Sequence, residues 1–299
     1  MKVLITGGAG YIGSFIVKEL VERGYEAIVF DISVKDSVKK DNVEYIRGDI
    51  FDTRSVEDVL AECDAVIHMV GLPHVPKAQK NPMLSFKLNV ESVQYVLEAM
   101  RRNDVKKIVL PSSAAVYGIT EKIPVKEDHE LKPNTIYGYH KLIAEEITKS
   151  YKENYGIEYT ILRLFNVYGG PQSQGVLNIF IEKAKLGESI IIYGGNQLRD
   201  FVYVKDVVKI FVDSLKNKYA KNEIINVGSG KGKTINEVAE IVKEFFPNLE
   251  IIRKESSGRE YDSVADTAKL KRIYKFTPDP SLETFKKVVK WLIDHDVSY

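Results

Sequence analysis

One cysteine, one tryptophan and no long apolar run set the outer limits of this 299-residue chain. A lone cysteine, Cys63, cannot close an internal disulfide, so a reducing compartment such as the cytoplasm is expected. No apolar stretch approaches the ~18 residues that span a bilayer, so a membrane is not an expected partner. The start, "MKVLITGGAGYIG", lacks the apolar centre of a signal peptide. Charge of one sign is missing too. With 43 basic against 42 acidic side chains the net charge is +1, which favours neither nucleic acid nor an anionic surface as main partner. Repeats, low-complexity tracts and Pro/Gly/Ser-rich linkers are absent. What is there is 44% hydrophobic and 28% charged, a globular balance with apolar material for one large domain or two modest ones packed together.

Short apolar runs alternate with amphipathic segments. Residues 2–6 read as a strand that ends in glycines. Within 11–24, Ile12, Phe15, Ile16 and Leu20 recur at helical spacing, and Gly24 stops the pattern. Further strands are expected at 26–31, 43–49, 64–70, 106–113 and 158–166. Helices are expected at 55–62, opened by Ser55, at 89–103 and at 137–156. This alternation predicts an α/β fold with a parallel sheet covered on both faces. Past Asn166 the rhythm loosens into helices, extended segments and a strand at 223–229. A last helix puts Phe285, Val288, Val289 and Leu292 on one face.

Between the first strand and first helix stands "ITGGAGYIGS". Gly8, Gly10 and Gly13 match G-x-G-x-x-G, and Gly7, Gly10 and Gly13 a wider glycine triplet. Small residues there let backbone N–H groups approach a pyrophosphate, with the helix dipole favouring its charge. A glycine triplet alone fits any tight strand–helix turn. An acid at the end of the second strand, Asp31, eighteen residues after Gly13, makes it a dinucleotide signal. Asp31 can accept from both adenosine ribose hydroxyls and would repel a 2′-phosphate, so NAD is expected over NADP. The plain alternative for Asp31 is a turn or cap residue. The expected contacts are Gly7, Gly10, Tyr11, Ile12, Gly13 and Asp31.

Residues 135–141 read "TIYGYHK". On a helix, Tyr137 and Lys141 are one turn apart and share a face, while Tyr139 points elsewhere. An ammonium beside a phenol lowers the phenol's pKa from ~10, giving a general base near neutral pH. Alone, Y-x-x-x-K more often marks an ordinary exposed helix face. It is not alone: "LPSSAAVYG" ends the preceding strand with Ser112 and Ser113, hydroxyls that can bridge a substrate oxygen and a tyrosine.

With these residues in order, the chain resembles the extended short-chain dehydrogenase/reductase family, in its nucleotide-sugar epimerase/dehydratase branch, of the UDP-glucose 4-epimerase type. The carrying stretches are "TGGAGYIGS", "GD" at 48–49, "SSAAVYG", "YGYHK", "RLFNVYGGPQ" and "RDFVYVKDVV". The resemblance implies a Rossmann-type doubly wound sheet in residues 1–165 plus about 205–230. It implies a smaller, discontinuous C-terminal nucleotide-sugar domain in about 166–204 plus 231–299. Tyr137 would be the base, Lys141 its activator and ribose ligand, and Ser113 the hydroxyl partner. Asp49 and Ile50 look like the adenine-contacting pair, and Asn89 like the asparagine at the start of the fourth helix. On the substrate side, Asn166 and Arg199 resemble the residues that hold the diphosphate. A second arginine usually follows in "RPGE…AD". Here "ESSGREYDSVADTAKL" has Ser256 at that place, and Arg259 is the candidate substitute. His68 reads as a strand-filling side chain. No metal is expected.

Dehydratases of this branch carry an Asp-Glu pair after the serine or threonine. Here Ala114 and Ala115 stand there, so elimination loses its acid–base group. The resemblance then implies 4-epimerisation of a nucleotide-diphosphate sugar, UDP-linked, by transient oxidation at C4 and hydride return, with NAD retained. Pro73, His74 and Lys77 make the loop 71–82 individual, so it does not tie the substrate to UDP-glucose and UDP-galactose. Rivals are a 4-keto-sugar reductase, another short-chain dehydrogenase, and a non-catalytic dinucleotide sensor, against which an intact Ser113–Tyr137–Lys141 set argues. Family members commonly form homodimers through the helices expected at 89–103 and 137–156.

Overall fold

The computed structural model describes residues 1–34, 38–40, 42–170, 175–256 and 261–295. The first half runs β1 (Lys2–Thr6), α1 (Tyr11–Glu22), β2 (Glu26–Asp31), β3 (Val38–Lys40), β4 (Val43–Arg47), α2 (Thr53–Leu60), β5 (Ala65–His68), α3 (Val75–Lys80), α4 (Pro82–Phe86), α5 (Ser92–Arg102), β6 (Lys107–Ser113) and α6 (Ile136–Tyr155). The rest is β7 (Glu158–Leu164), β8 (Asn166–Tyr168), α7 (Val176–Lys185), β9 (Ile190–Tyr193), β10 (Leu198–Tyr203), α8 (Val204–Ser214), β11 (Glu223–Val227), β12 (Gly232–Thr234), α9 (Ile235–Phe245), β13 (Ile251–Lys254), α10 (Ala268–Tyr274) and α11 (Leu282–Asp294). Contacts divide the chain into two units. The first holds residues 1–118, 130–163 and 208–225; the second holds 119–129, 164–207 and 226–299. Residues 119–129, which lie inside the range expected for the first domain, belong to the second unit.

The large sheet has the order β11-β7-β6-β5-β1-β2-β4-β3, with β1 parallel to both β2 and β5 and only β3 shown running antiparallel to its neighbour. Strand order therefore reverses between β1 and β5, the place where doubly wound sheets open a crevice at their C-terminal ends. Alternation along β1 explains the double cover. Leu4 packs with Val56, Leu60, Val96, Leu97 and Ala144 from α2, α5 and α6. Val3 and Ile5, pointing the other way, are just as buried, as are Ile16, Val17 and Leu20 of α1. A strand buried on both faces must read as a continuous apolar run, as "KVLIT" does.

In the second unit, β12-β10-β8 form one small sheet and β13-β9 another. Helices α7, α9 and α11 pack over a core that includes Tyr168, Phe180, Phe201 and Phe285. The last helix buries Phe285, Val288, Val289 and Leu292, the face expected from its spacing.

Two local expectations change. The second helix begins at Thr53, and its cap is Asp52, whose carboxylate accepts from Ser55 N and Oγ; Ser55 lies inside the first turn. The segment 71–82 is not one loop. It contains α3 and the start of α4, with proline in the first turn of each, where a missing N–H costs nothing. Between α4 and α5, Lys87–Glu91 form a π turn that carries Asn89.

Candidate active site

The glycine turn is built for close approach. Gly7 has φ +70°, and a Cβ there would stand 2.7 Å from Val70 N. A Cβ on Gly13 would stand 2.4 Å from Gly7 O, so only hydrogen lets α1 begin so close to the turn. Helix α1 starts at Gly10 with no side chain capping its first N–H groups, which leaves Tyr11, Ile12 and Gly13 amides at a positive helix end. Asp31 is half-buried at the end of β2. Its Oδ2 accepts from Ala9 N at 3.0 Å, and its Oδ1 from Ser33 N at 2.8 Å. The acid thus ties the glycine turn to the strand end and also serves as a turn residue. Asp49 is exposed and holds Phe51 N at 3.0 Å, and Ile50 beside it is buried. This cradle and its uncapped helix end fit a dinucleotide pyrophosphate.

Asn89 is buried, and its side-chain amide is occupied. Its Oδ1 accepts from Leu72 N at 3.1 Å; its Nδ2 donates to Leu72 O at 3.3 Å and Ser85 Oγ at 3.1 Å. Both amide protons are used inside the protein, so Asn89 acts here by holding the chain after β5. His68 also stays structural. Its ring nitrogens face Thr6 Oγ1 at 2.7 Å and Ser92 Oγ at 3.1 Å. Burial, followed by Lys141, drives its pKa down to about 3, so it is neutral.

Helix α6 is opened by Thr135, whose hydroxyl accepts from Gly138 N at 3.1 Å. Its start lies against the Ala114–Val116 turn: a Cβ on Gly138 would meet Ala115 O at 2.4 Å. This brings the Tyr137 phenol close to the Ser113 hydroxyl. Ser113 Oγ also accepts from Ala115 N at 3.2 Å. Lys141 follows one turn on and is buried. Tyr139 is exposed, while His140 is buried, its Nδ1 2.9 Å from Ser85 Oγ. The phenol differs from expectation. Burial pushes the Tyr137 pKa up to about 12, with the Ser113 hydrogen bond opposing. Lys141 is not what dominates it. The lysine itself is pushed down to about 8 by burial, with Glu145 opposing.

In the second unit, Asn166 is exposed and its Nδ2 donates to Asp200 O at 3.0 Å. Arg199 is held from one side: Nη1 donates to Leu198 O at 2.9 Å and Tyr261 O at 2.6 Å, and the guanidinium lies 4.8 Å from the Tyr261 ring centre. Nε and Nη2 have no partner among the described residues. Next to it, buried Asp200 accepts from Ser229 N and Oγ, Gly230 N and Ala265 N, which fixes two chain segments beside β10. A cavity of about 450 Å³ is lined by Thr120, Glu121, Asn196, Gln197, Tyr261 and Asp262 among others. Arg259 lies outside the described residues.

The sequence model of the NAD dependent epimerase/dehydratase family matches residues 3–228. The chain belongs to that family. NAD is its cofactor, and it is an NAD-dependent nucleotide-sugar epimerase. A relative from Methanocaldococcus jannaschii is 39% identical over 302 residues, covering 97% of this chain and 98% of that protein. A UDP-glucose 4-epimerase from Lactobacillus helveticus is 33% identical over 304 residues, covering 93% and 92%. The crystal structure of the Thermotoga maritima UDP-glucose 4-epimerase with UDP-glucose superposes at a TM-score of 0.90, with 31% identity, over 98% of this chain and 99% of that one.

Against the family pattern, two residues stand out that motif reading passes over. Glu145 continues the four-residue spacing of Tyr137 and Lys141, and Arg163 heads "RLFNVYGG". They form a fully buried ion pair, with Nη2 to Oε2 at 2.7 Å. Spacing could have found the glutamate. Its partner could not be named without the fold.

Proposed function

We propose that this epimerase inverts C4 of a UDP-hexose, of the glucose/galactose type, by transient oxidation and hydride return. The observation that carries the reading is the end of β6. The Ser113 hydroxyl lies beside Tyr137 and opposes the upward shift of its pKa, and the two following positions are alanines with no carboxylate for elimination. Gly7, Gly10, Tyr11, Ile12, Gly13, Asp31, Asp49, Ile50 and Lys141 would hold NAD, with Asn89 supporting the chain beside it. Bound, the cofactor supplies the hydride acceptor at C4 and, when oxidised, a positive ring charge. Tyr137 takes the C4 hydroxyl proton and returns it once the keto sugar has turned. Because burial disfavours the phenolate, the base needs positive charge nearby; the oxidised cofactor ring, together with Lys141 one turn along α6, would supply it. Ser113 holds the reacting oxygen in line with the phenol. Asn166 and Arg199 bind the diphosphate; a guanidinium with its Nε–Nη2 edge open suits two phosphate oxygens. Arg259 is the candidate for a second cationic contact.

The test is incubation with UDP-glucose, UDP-galactose, their N-acetyl forms and UDP-glucuronate, without added NADH, read by proton NMR. A C4-inverted product is expected from at least one. No inversion, with consumption of NADH when a 4-keto sugar is given, favours the reductase reading. The reading includes a homodimer, supported by exposed Tyr95, Tyr139 and Ile143 on α5 and α6. A cytoplasmic location is supported by the single cysteine. Among the described residues, no helix is long and apolar enough to cross a membrane.

A further inference from the structure

Tyr137, Lys141 and Glu145 succeed one another at four-residue steps along α6, and all three are buried. Lys141 Nζ makes no hydrogen bond or ion pair among the described residues. A buried ammonium without a partner is unfavourable, and a carboxylate one turn along the same helix is the obvious counterion. Glu145 does raise the lysine's pKa, but no ion pair joins the lysine to this carboxylate. Arg163 reaches it from β7 with a two-pronged grip, Nε to Oε1 at 3.0 Å and Nη2 to Oε2 at 2.7 Å. Ser112 Oγ adds a third donor from β6, 2.5 Å from Oε1. Arg163 is itself fixed: Nη1 donates to Tyr117 OH at 2.9 Å, and the guanidinium sits 4.9 Å from that ring's centre.

We propose that Arg163 is a positioning residue for Lys141: by occupying both oxygens of Glu145, it leaves the ammonium facing a ligand rather than an internal counterion. The proposal rests on the reading of Lys141 as a cofactor ligand. A forked donor outcompetes an ammonium for a carboxylate, because two parallel hydrogen bonds form at once. Arginine also stays protonated at every working pH, so the grip does not loosen on titration. The Glu145–Arg163 pair is neutral as a whole. The other groups that face the lysine fit this account. His68 on β5 is held neutral, and Ser112 on β6 and Arg163 on β7 both bond to Glu145.

The direct test follows the titration of Lys141 by NMR on protein carrying ¹³Cε-lysine, with the signal assigned from Lys141→Arg. Arg163→Met should release Glu145 to pair with Lys141 and move the titration up by about one pH unit or more. Arg163→Lys keeps the charge but not the fork, and should give a smaller shift the same way. Glu145→Gln combined with Arg163→Met removes both charges and should bring the value back toward wild type. In parallel, NAD affinity at pH 7 by equilibrium dialysis should fall about tenfold or more in Arg163→Met and recover in the double variant. Should Arg163→Met fail to fold, Arg163→Lys carries the test. An unchanged Lys141 titration in the folded Arg163 variants overturns the proposal. None of these measurements needs a sugar substrate, so they stand apart from the C4 reading.

Discussion

Lys141 is charged where burial disfavours charge, and stability bears the consequence. Its pKa lies at about 8, below its ordinary 10.5, because of burial. Between those values the unfolded chain still holds the proton and the folded one has released it, so this group's contribution to stability rises with pH across that window. Below pH 8 the penalty is complete. Lys141→Met should therefore raise stability at pH 7 by on the order of 2–3 kcal/mol and flatten the alkaline rise, as read by urea unfolding. His68 works on the acid side. The unfolded ring takes a proton below 6.5 while the folded ring resists until about 3, so stability falls with acid through that range, by about 1.4 kcal/mol per pH unit. Tyr137→Phe should keep NAD and lose about 10²–10⁴-fold in turnover, the range of a lost general base. Full activity in that variant would remove Tyr137 from the mechanism. The pairing of Tyr137 with Lys141 is legible because helical spacing is a property of sequence: counting puts the two on one face of α6 and Tyr139 off it. The direction of the phenol's pKa was not legible. It is decided by burial, which depends on strands and helices far along the chain.

At the level of elements, the start of α6 decides how Tyr137 meets Ser113. Gly138 makes that contact possible, since a methyl would collide with Ala115 O. Gly138→Ala is expected to cost about 1–3 kcal/mol by overpacking and to lower turnover by moving α6 off the Ala114–Val116 turn. Unfolding curves and initial rates on one preparation check both effects. Most elements were readable from apolar periodicity, because strands covered on two faces and helices covered on one leave different patterns. The segment 71–82 was not. It reads as a loop, yet Pro76 and Pro82 occupy first-turn positions of α3 and α4 that tolerate proline. The start of α2 was misplaced for a related reason: Asp52 and Ser55 are both good capping residues, and the backbone chose the first.

At the level of the molecule, the alternation of strand and helix gave the class of fold, and the glycine turn with Asp31 marked one end of the sheet's crevice. The return of residues 119–129 to the second unit had no sequence signal, because a bridge such as Val125 to Ala265 joins positions far apart in the chain. The proposed dimer is tested at this scale. Tyr139→Glu with Ile143→Glu should convert the protein to a monomer in sedimentation at micromolar concentration, since both side chains are exposed on α6 and neither contributes to its own unit's core. Persistence of the dimer would place its interface elsewhere.

The π turn at Lys87–Glu91 carries a consequence of a different kind. It sets the angular phase between α4 and α5, and each residue added to or taken from a helix rotates everything beyond it by about 100°. Trimming one residue there, to make an ideal helix, would leave the sheet's α5 partner in place and swing Asn89 off Leu72. The irregularity behaves as a tooth in a gear: a mutation that makes the local geometry more regular would put the neighbouring chain out of mesh.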